Sequence, residues 1–132
     1  MQTIFWKFSY TEDCLDSILA SGDLPFPDLK KWPQAKNHDV QTIREDLRMG
    51  HYVLLSSFNN NTEEGTVRAA GRVENIEGEK ITMTWTRVKP SWSLLPHKQG
   101  GVTQWKNEGV FRFDEQPANQ YMLERKLIKL FP

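Results

Sequence analysis

The chain has a single cysteine, Cys14, among 132 residues. That excludes an internal disulfide and a cysteine-built metal site, and it points to a reducing, cytoplasmic setting. Its place in the chain predicts a buried thiol by default. Net charge is also lacking: 17 Lys and Arg balance 17 Asp and Glu, so no overall basic field is available to wrap nucleic acid, and any such contact must be local. No apolar run approaches the roughly twenty residues of a membrane span, and Met1 leads into a strand pattern rather than a basic, then apolar, leader. The histidines, His38, His51 and His97, lie far apart with no metal-ligand pattern beside them. A phosphate-cradling glycine loop, a nucleophile elbow and a cysteine-histidine pairing are missing too. The sequence therefore offers no metal site, no cofactor site and little support for catalysis.

What the chain does have is tryptophan, five in all. Flat aromatic faces either fill a core or stack on another flat molecule, of which a nucleobase is the commonest. Residues 2–9 carry Ile4, Trp6 and Phe8 alternating with Thr3, Phe5 and Lys7, which predicts a strand with bulk on both faces, central in its sheet. Thr11 caps a helix with Glu12 and Asp13 in its first turn and Leu15, Ile18 and Leu19 on one face, and Ser21-Gly22 ends it. Pro25, Pro27 and Pro33 make 23–38 a long loop bearing Trp32. Asp39 caps a second helix with Val40, Ile43 and Leu47, closed by Met49-Gly50.

The apolar strand Tyr52-Val53-Leu54-Leu55 runs on into Ser56-Ser57-Phe58 and an asparagine-rich turn. Alternation over 66–73 and 81–88, joined by Glu77-Gly78-Glu79, completes an antiparallel meander. Residues 90–108, with Pro90, Pro96, Gly100 and Gly101, read as irregular. Val110, Phe111 and Phe113 form a short strand, and Pro117 suits the first turn of a last helix docked through Leu123, Leu127, Leu130 and Phe131. The order of elements predicts one α+β domain over 1–132. Its expected form is a small mixed, largely antiparallel β-barrel of about five to six strands with two to three flanking helices.

At Phe5-Trp6-Lys7-Phe8-Ser9, Trp32-Pro33-Gln34-Ala35-Lys36-Asn37, Ile43 to Leu55 and Val67 to Val73, the chain resembles the PUA-like superfamily, specifically its EVE and YTH branches. Members of these branches open with an aromatic-Trp-x-Lys strand and place a basic, asparagine-bearing segment before the second helix. The resemblance covers roughly residues 3–90. It implies a non-catalytic module with an aromatic pocket at the barrel mouth that takes a flipped modified base, either methyladenine or methyl- or hydroxymethylcytosine. The tight turn at Glu77-Gly78-Glu79 has no room for the second cage tryptophan of YTH members, so a second aromatic wall must come from elsewhere.

Trp32 is the first choice for the cage, because it follows Lys30-Lys31, precedes Pro33 and lies on a loop where a core role is harder to arrange; the plainer alternative is that it covers the barrel end. Ser9 and Tyr10, at the exit of the first strand, match positions that line the family's pocket, against the alternative of a simple turn. Ser56, Ser57 and Phe58 leave the apolar strand at the same end, offering an edge contact and a second wall; the alternative for Phe58 is a core residue. Trp92 and Trp105 stand in the irregular segment near Lys89, His97, Lys98 and Lys106, as a stacking platform beside phosphate ligands would, and as a lid also would. Trp6 and Trp85, inside alternating strands, are core residues. Lys30, Lys31, Lys36, Asn37, Lys89 and Lys98, with Arg68 and Arg72 on one strand face, are candidates for backbone phosphates, against scattered surface charge.

Two other functions remain from different classes. ASCH members of the superfamily include amidohydrolases that use a lysine, a threonine and a glutamate, although that set has no recognisable spacing here; exposed aromatics could instead dock a protein partner. The resemblance implies nucleic acid as partner, modified DNA rather than RNA, and no membrane. It further implies a fused or associated NTPase or nuclease, as in the bacterial restriction ATPases that recognise methylated DNA. The expectation is either the specificity domain of such a larger polypeptide or a small protein working with partners.

Overall fold

In the computed structural model, which describes residues 3–10, 14–25, 40–59, 61–96, 105 and 109–131, every residue of β1 (Phe5–Phe8) is buried. A strand with bulky side chains on both faces has no face to offer water, so the chain builds a layer over each. β1 pairs in parallel with β2 (Tyr52–Asn59), placing Phe8 beside Leu55, and antiparallel with β5 (Val110–Arg112). The meander continues from β2 to β3 (Glu64–Glu77) and β4 (Lys80–Leu94), giving the order β4-β3-β2-β1-β5. The α+β class and the mixed, largely antiparallel sheet agree with the sequence reading. Among the described residues the sheet is not closed, and β4 and β5 are its edges.

Helix α1 (Leu15–Ser21) stops at Gly22, whose φ of 70° is the left-handed conformation that glycine adopts without strain. The chain then turns along the outer edge of β4, where the Met83 N–H donates to the Gly22 carbonyl (2.7 Å) and the Leu24 N–H to that of Ile81 (3.2 Å). Part of an edge that would otherwise invite another strand is thereby covered. Helix α2 is Val40–Asp46. The expected caps Thr11 and Asp39 lie outside the described residues. Cys14 precedes α1 and is exposed rather than buried, because the helix turns Leu15 and Ile18 to the core instead. The last helix is in fact two, α3 (Glu115–Gln120) and α4 (Leu123–Leu130), interrupted at Met122, whose φ is 57°.

One face of the sheet buries Trp6, Phe8, Val53, Leu55, Val73 and Met83 against Leu15, Ile18, Ile43 and Leu47. The other buries Phe5, Leu54, Val67 and Phe111 against Trp105, Leu123, Leu127 and Phe131. At about 1.5–3 kcal/mol for each large apolar side chain removed from water, these two clusters hold the fold together. Trp6 is thus the core residue expected, with its indole N–H donating to His51 Nδ1 (3.1 Å). Trp85 is only half-buried; it lies over Gly71 and donates to the Asp23 carbonyl (3.0 Å).

Two sequence expectations change at β3 and β4. Residues 90–94 are not irregular, because β4 runs through Pro90 to Leu94. An edge strand tolerates a residue with no N–H where the ladder is interrupted. The ladder passes from Ala69 opposite Arg87 to Val67 opposite Trp92, so residues 88–91 have no partner on β3. The same irregularity breaks the period-two alternation of β3, with Val67 in one apolar cluster and Ala69 in the other.

Candidate nucleic-acid interface

β1 ends at Phe8, level with Leu55 in the parallel pair, whereas β2 continues through Ser56, Ser57 and Phe58, which pair with Val67, Thr66 and Gly65 of β3. The sequence reading expected Ser56, Ser57 and Phe58 to leave the strand at the same end as Ser9 and Tyr10; they remain in β2, and Tyr10 and Phe58 pack on opposite faces of the sheet. Ser9 and Tyr10 are half-buried, and Tyr10 packs on the α1–α2 side of the sheet. Ser56 is 0% exposed and its hydroxyl donates to the Ser57 carbonyl (3.1 Å), so it is closed to a guest, whereas Ser57 is half-exposed.

Beneath this end lies Lys7, only 1% exposed, which the sequence reading treated as part of a strand motif and not as a site residue. Its ammonium donates to Ser9 Oγ (2.5 Å), makes a long contact with the Gly109 carbonyl (3.5 Å), and stands over the rings of Trp105 (5.3 Å) and Phe111 (5.6 Å). Aromatic faces carry negative charge and substitute in part for the water that the ammonium has lost.

Trp105 is 3% exposed and is not an open platform. Its ring stacks on Phe58 (5.9 Å) and meets Phe111 and Phe113 edge-on. It also lies so close to Gly65 that a Cβ there would fall 2.5 Å from the indole. Phe58 is half-buried by the same stack. The flanking glycines and lysines made Trp105 look like a loop residue; the slot that receives it is built by Gly65, forty positions earlier in the chain. Trp92 is half-buried on β4 with the Lys126 ammonium 5.3 Å over its ring, and partial burial lowers the pKa of that lysine from its ordinary value. One face of Trp92 is therefore already engaged.

A recess of about 370 Å³ opens where the β3–β4 ladder breaks. That volume falls at the small end of the range of about 300–1,000 Å³ typical of ligand clefts. Arg68, Arg87, Lys89 and Ser91 line it with Leu15, Val88 and Pro90, and Asp16 at the start of α1 pairs with Arg87. Leu55 pairs with Ala69 and Ser56 with Val67, so Arg68 lies level with the Leu55–Ser56 step of β2, where β1 ends.

Arg68 and Lys89, both expected to meet phosphates, share this recess. Arg72 does not join them, although Arg68 and Arg72 were expected on one strand face. The break at Arg68 separates the two, and Arg72 instead pairs with Glu74 (2.7 Å) and lies over Phe131 (5.4 Å). Arg87 and Asp16 went unnoticed in the sequence because they are 71 positions apart. Trp32, Lys30, Lys31, Lys36, Asn37 and Lys98 lie outside the described residues.

Among the described residues no cluster of His, Cys, Asp and Glu could hold a metal ion, and no helix is long and apolar enough to cross a membrane. Comparison with protein-family models, with curated proteins and with solved structures found no match.

Proposed function

We propose that the protein is a non-catalytic nucleic-acid-binding module that recognises a flipped modified base, methyladenine or methyl- or hydroxymethylcytosine. It would serve as the specificity element of a modification-dependent restriction system, on a PUA-like barrel of the EVE/YTH kind. The observation that carries the reading is the basic recess of Arg68, Arg87 and Lys89, whose Arg68 stands level with the end of β1, where the half-buried Ser9 and Tyr10 follow. Polar groups there suit a base edge, and cations there suit the flanking backbone.

The energetics are consistent. Extruding a base costs a few kcal/mol and stacking it on an aromatic wall returns about 1–3 kcal/mol, so the two nearly offset. Burying one methyl contributes about a further 0.8 kcal/mol and tips the balance toward the modified base. Trp32 is the residue assigned to that wall.

The test is a titration of short DNA and RNA oligonucleotides, each with one modified base, at fixed salt. A preference of about tenfold or more for one modification over its parent base is expected, equivalent to about 1.4 kcal/mol. Trp32→Ala should abolish that preference without lowering the unfolding midpoint. No preference across the whole panel would end the reader function.

One observation favours a hydrolytic alternative, the amidohydrolase class: Lys7 Nζ lies 2.5 Å from Ser9 Oγ at the same end of the sheet. A lysine beside a hydroxyl is one way to activate it for attack on an acyl group. Release of acetate or ammonia from an acetylated or amino-bearing nucleoside would favour that reading.

A further inference from the structure

We propose that the recess at the β3–β4 break is a phosphate-binding subsite formed by Arg68, Arg87 and Lys89, and that the Asp16 carboxylate is its built-in competitor. The proposal deepens the reader function and rests on it for the source of the phosphate, the backbone of the strand being read.

Among the described residues three cations line one recess against a single carboxylate, a net positive lining in a chain that is neutral as a whole. A planar guanidinium presents the same fork to a carboxylate and to a phosphate. The Asp16–Arg87 pair therefore marks where an oxyanion settles. Asp16 is weakly held as a competitor, since its side chain is 87% exposed and exposed pairs contribute little. A phosphodiester carries two unesterified oxygens and can reach more than one cation at once. The wall of the recess is also unusual for a sheet: residues 88–91 are outside the β3 ladder and line a cavity there.

The test uses the full chain and a labelled single strand of about twelve nucleotides with the preferred modified base, together with its unmodified parent. Binding is followed by fluorescence anisotropy between about 50 and 200 mM salt, the range over which phosphate contacts are strongly attenuated. Arg87→Gln should weaken both strands about threefold or more at low salt and flatten the slope of log affinity against log salt by about 0.7, the loss of one contact to a single strand. Lys89→Gln, at an exposed position, should do the same without affecting the fold, and so decides the matter if Arg87→Gln lowers the melting temperature. Asp16→Asn should tighten both strands by about 1.5- to 5-fold, the usual weight of an exposed pair.

The ratio between modified and parent strands should stay constant in all three variants, because phosphate contacts position a strand without reading it. A changed ratio would mean that the recess touches the base, which overturns the proposal. Unchanged affinity and slope in Arg87→Gln and Lys89→Gln would also overturn it while leaving the reader function standing. If no strand binds the wild type, the reader function fails, and NMR of the arginine Nε–H signals with inorganic phosphate against chloride at equal ionic strength decides the subsite. Shifts of the Arg87 and Arg68 signals that disappear in Lys89→Gln would support a free phosphate ligand; no shift would overturn the proposal.

Discussion

At the scale of single residues, the least expected assignments are two titratable groups that the fold uses as internal polar fixtures. Lys7 is held by a hydroxyl, a carbonyl and two aromatic faces. His51 accepts hydrogen bonds at Nδ1 from the Trp6 indole (3.1 Å) and, at 3.3 Å, from the Arg48 backbone. Both bonds need a bare Nδ1, so the imidazole works only when that nitrogen carries no proton. Burial, then the nearby Arg112 and Arg48, push its pKa below the ordinary value of 6.5, against a smaller opposing pull from Asp46.

A histidine whose folded pKa is depressed binds its proton more readily in the unfolded chain. Its contribution to stability is therefore complete above about pH 6.5 and is lost as pH falls through the folded value. Urea unfolding midpoints should be flat between about pH 7 and 8 and should decline from about pH 6.5 downward. His51→Asn should be less stable at pH 8 and should lack the decline near pH 6. An unchanged decline in the variant would place its origin in another group.

At the scale of elements, the strands followed from local pattern, whereas the end of β4 and the irregularities did not. The two-faced bulk of Phe5, Trp6 and Phe8 marks a central strand because only a strand covered on both sides can hide it. Gly22 marks the stop of α1 with a φ of 70°, whereas α2 ends at Asp46 and Gly50, with a φ of 90°, stands in the turn that leads into β2. The break at Arg68 leaves no mark, since alternation of side chains reads the same with or without a bulge until the partner strand is present. That break is why Arg68 and Arg72 part company and why a recess exists.

Trp105 belongs to the same class of long-range effects, as a single ring that ties the segment before β5 to the β2–β3 hairpin through Phe58 and Gly65. Gly65→Ala would place a methyl 2.5 Å from that ring. The ring must then shift, at a cost of about 1–3 kcal/mol typical of overpacking. Chemical denaturation and a red-shifted tryptophan emission would register this. An unaltered midpoint would mean that the ring does not lie against that glycine.

At the scale of the whole molecule, neutrality and local charge have separate consequences. A chain with 17 cations and 17 carboxylates presents no long-range attraction to a polyanion. If Arg68, Arg87 and Lys89 supply the backbone contacts, log affinity for a single strand should fall with log salt at a slope of about −2, three contacts at about 0.7 each. A much steeper slope, measured by anisotropy over a salt series, would require cations beyond the recess.

Composition and periodicity by themselves determined the α+β class, the central first strand, the meander and the stop of α1, because each depends on neighbours within a few positions along the chain. Only the tertiary structure decided that Trp105 is core, that Lys7 is buried, and that Arg68, Arg87, Lys89 and Asp16 form one charged recess. Those outcomes depend on which strand lies beside which and in what register, and that is set by packing between residues far apart in the chain rather than by any local signal.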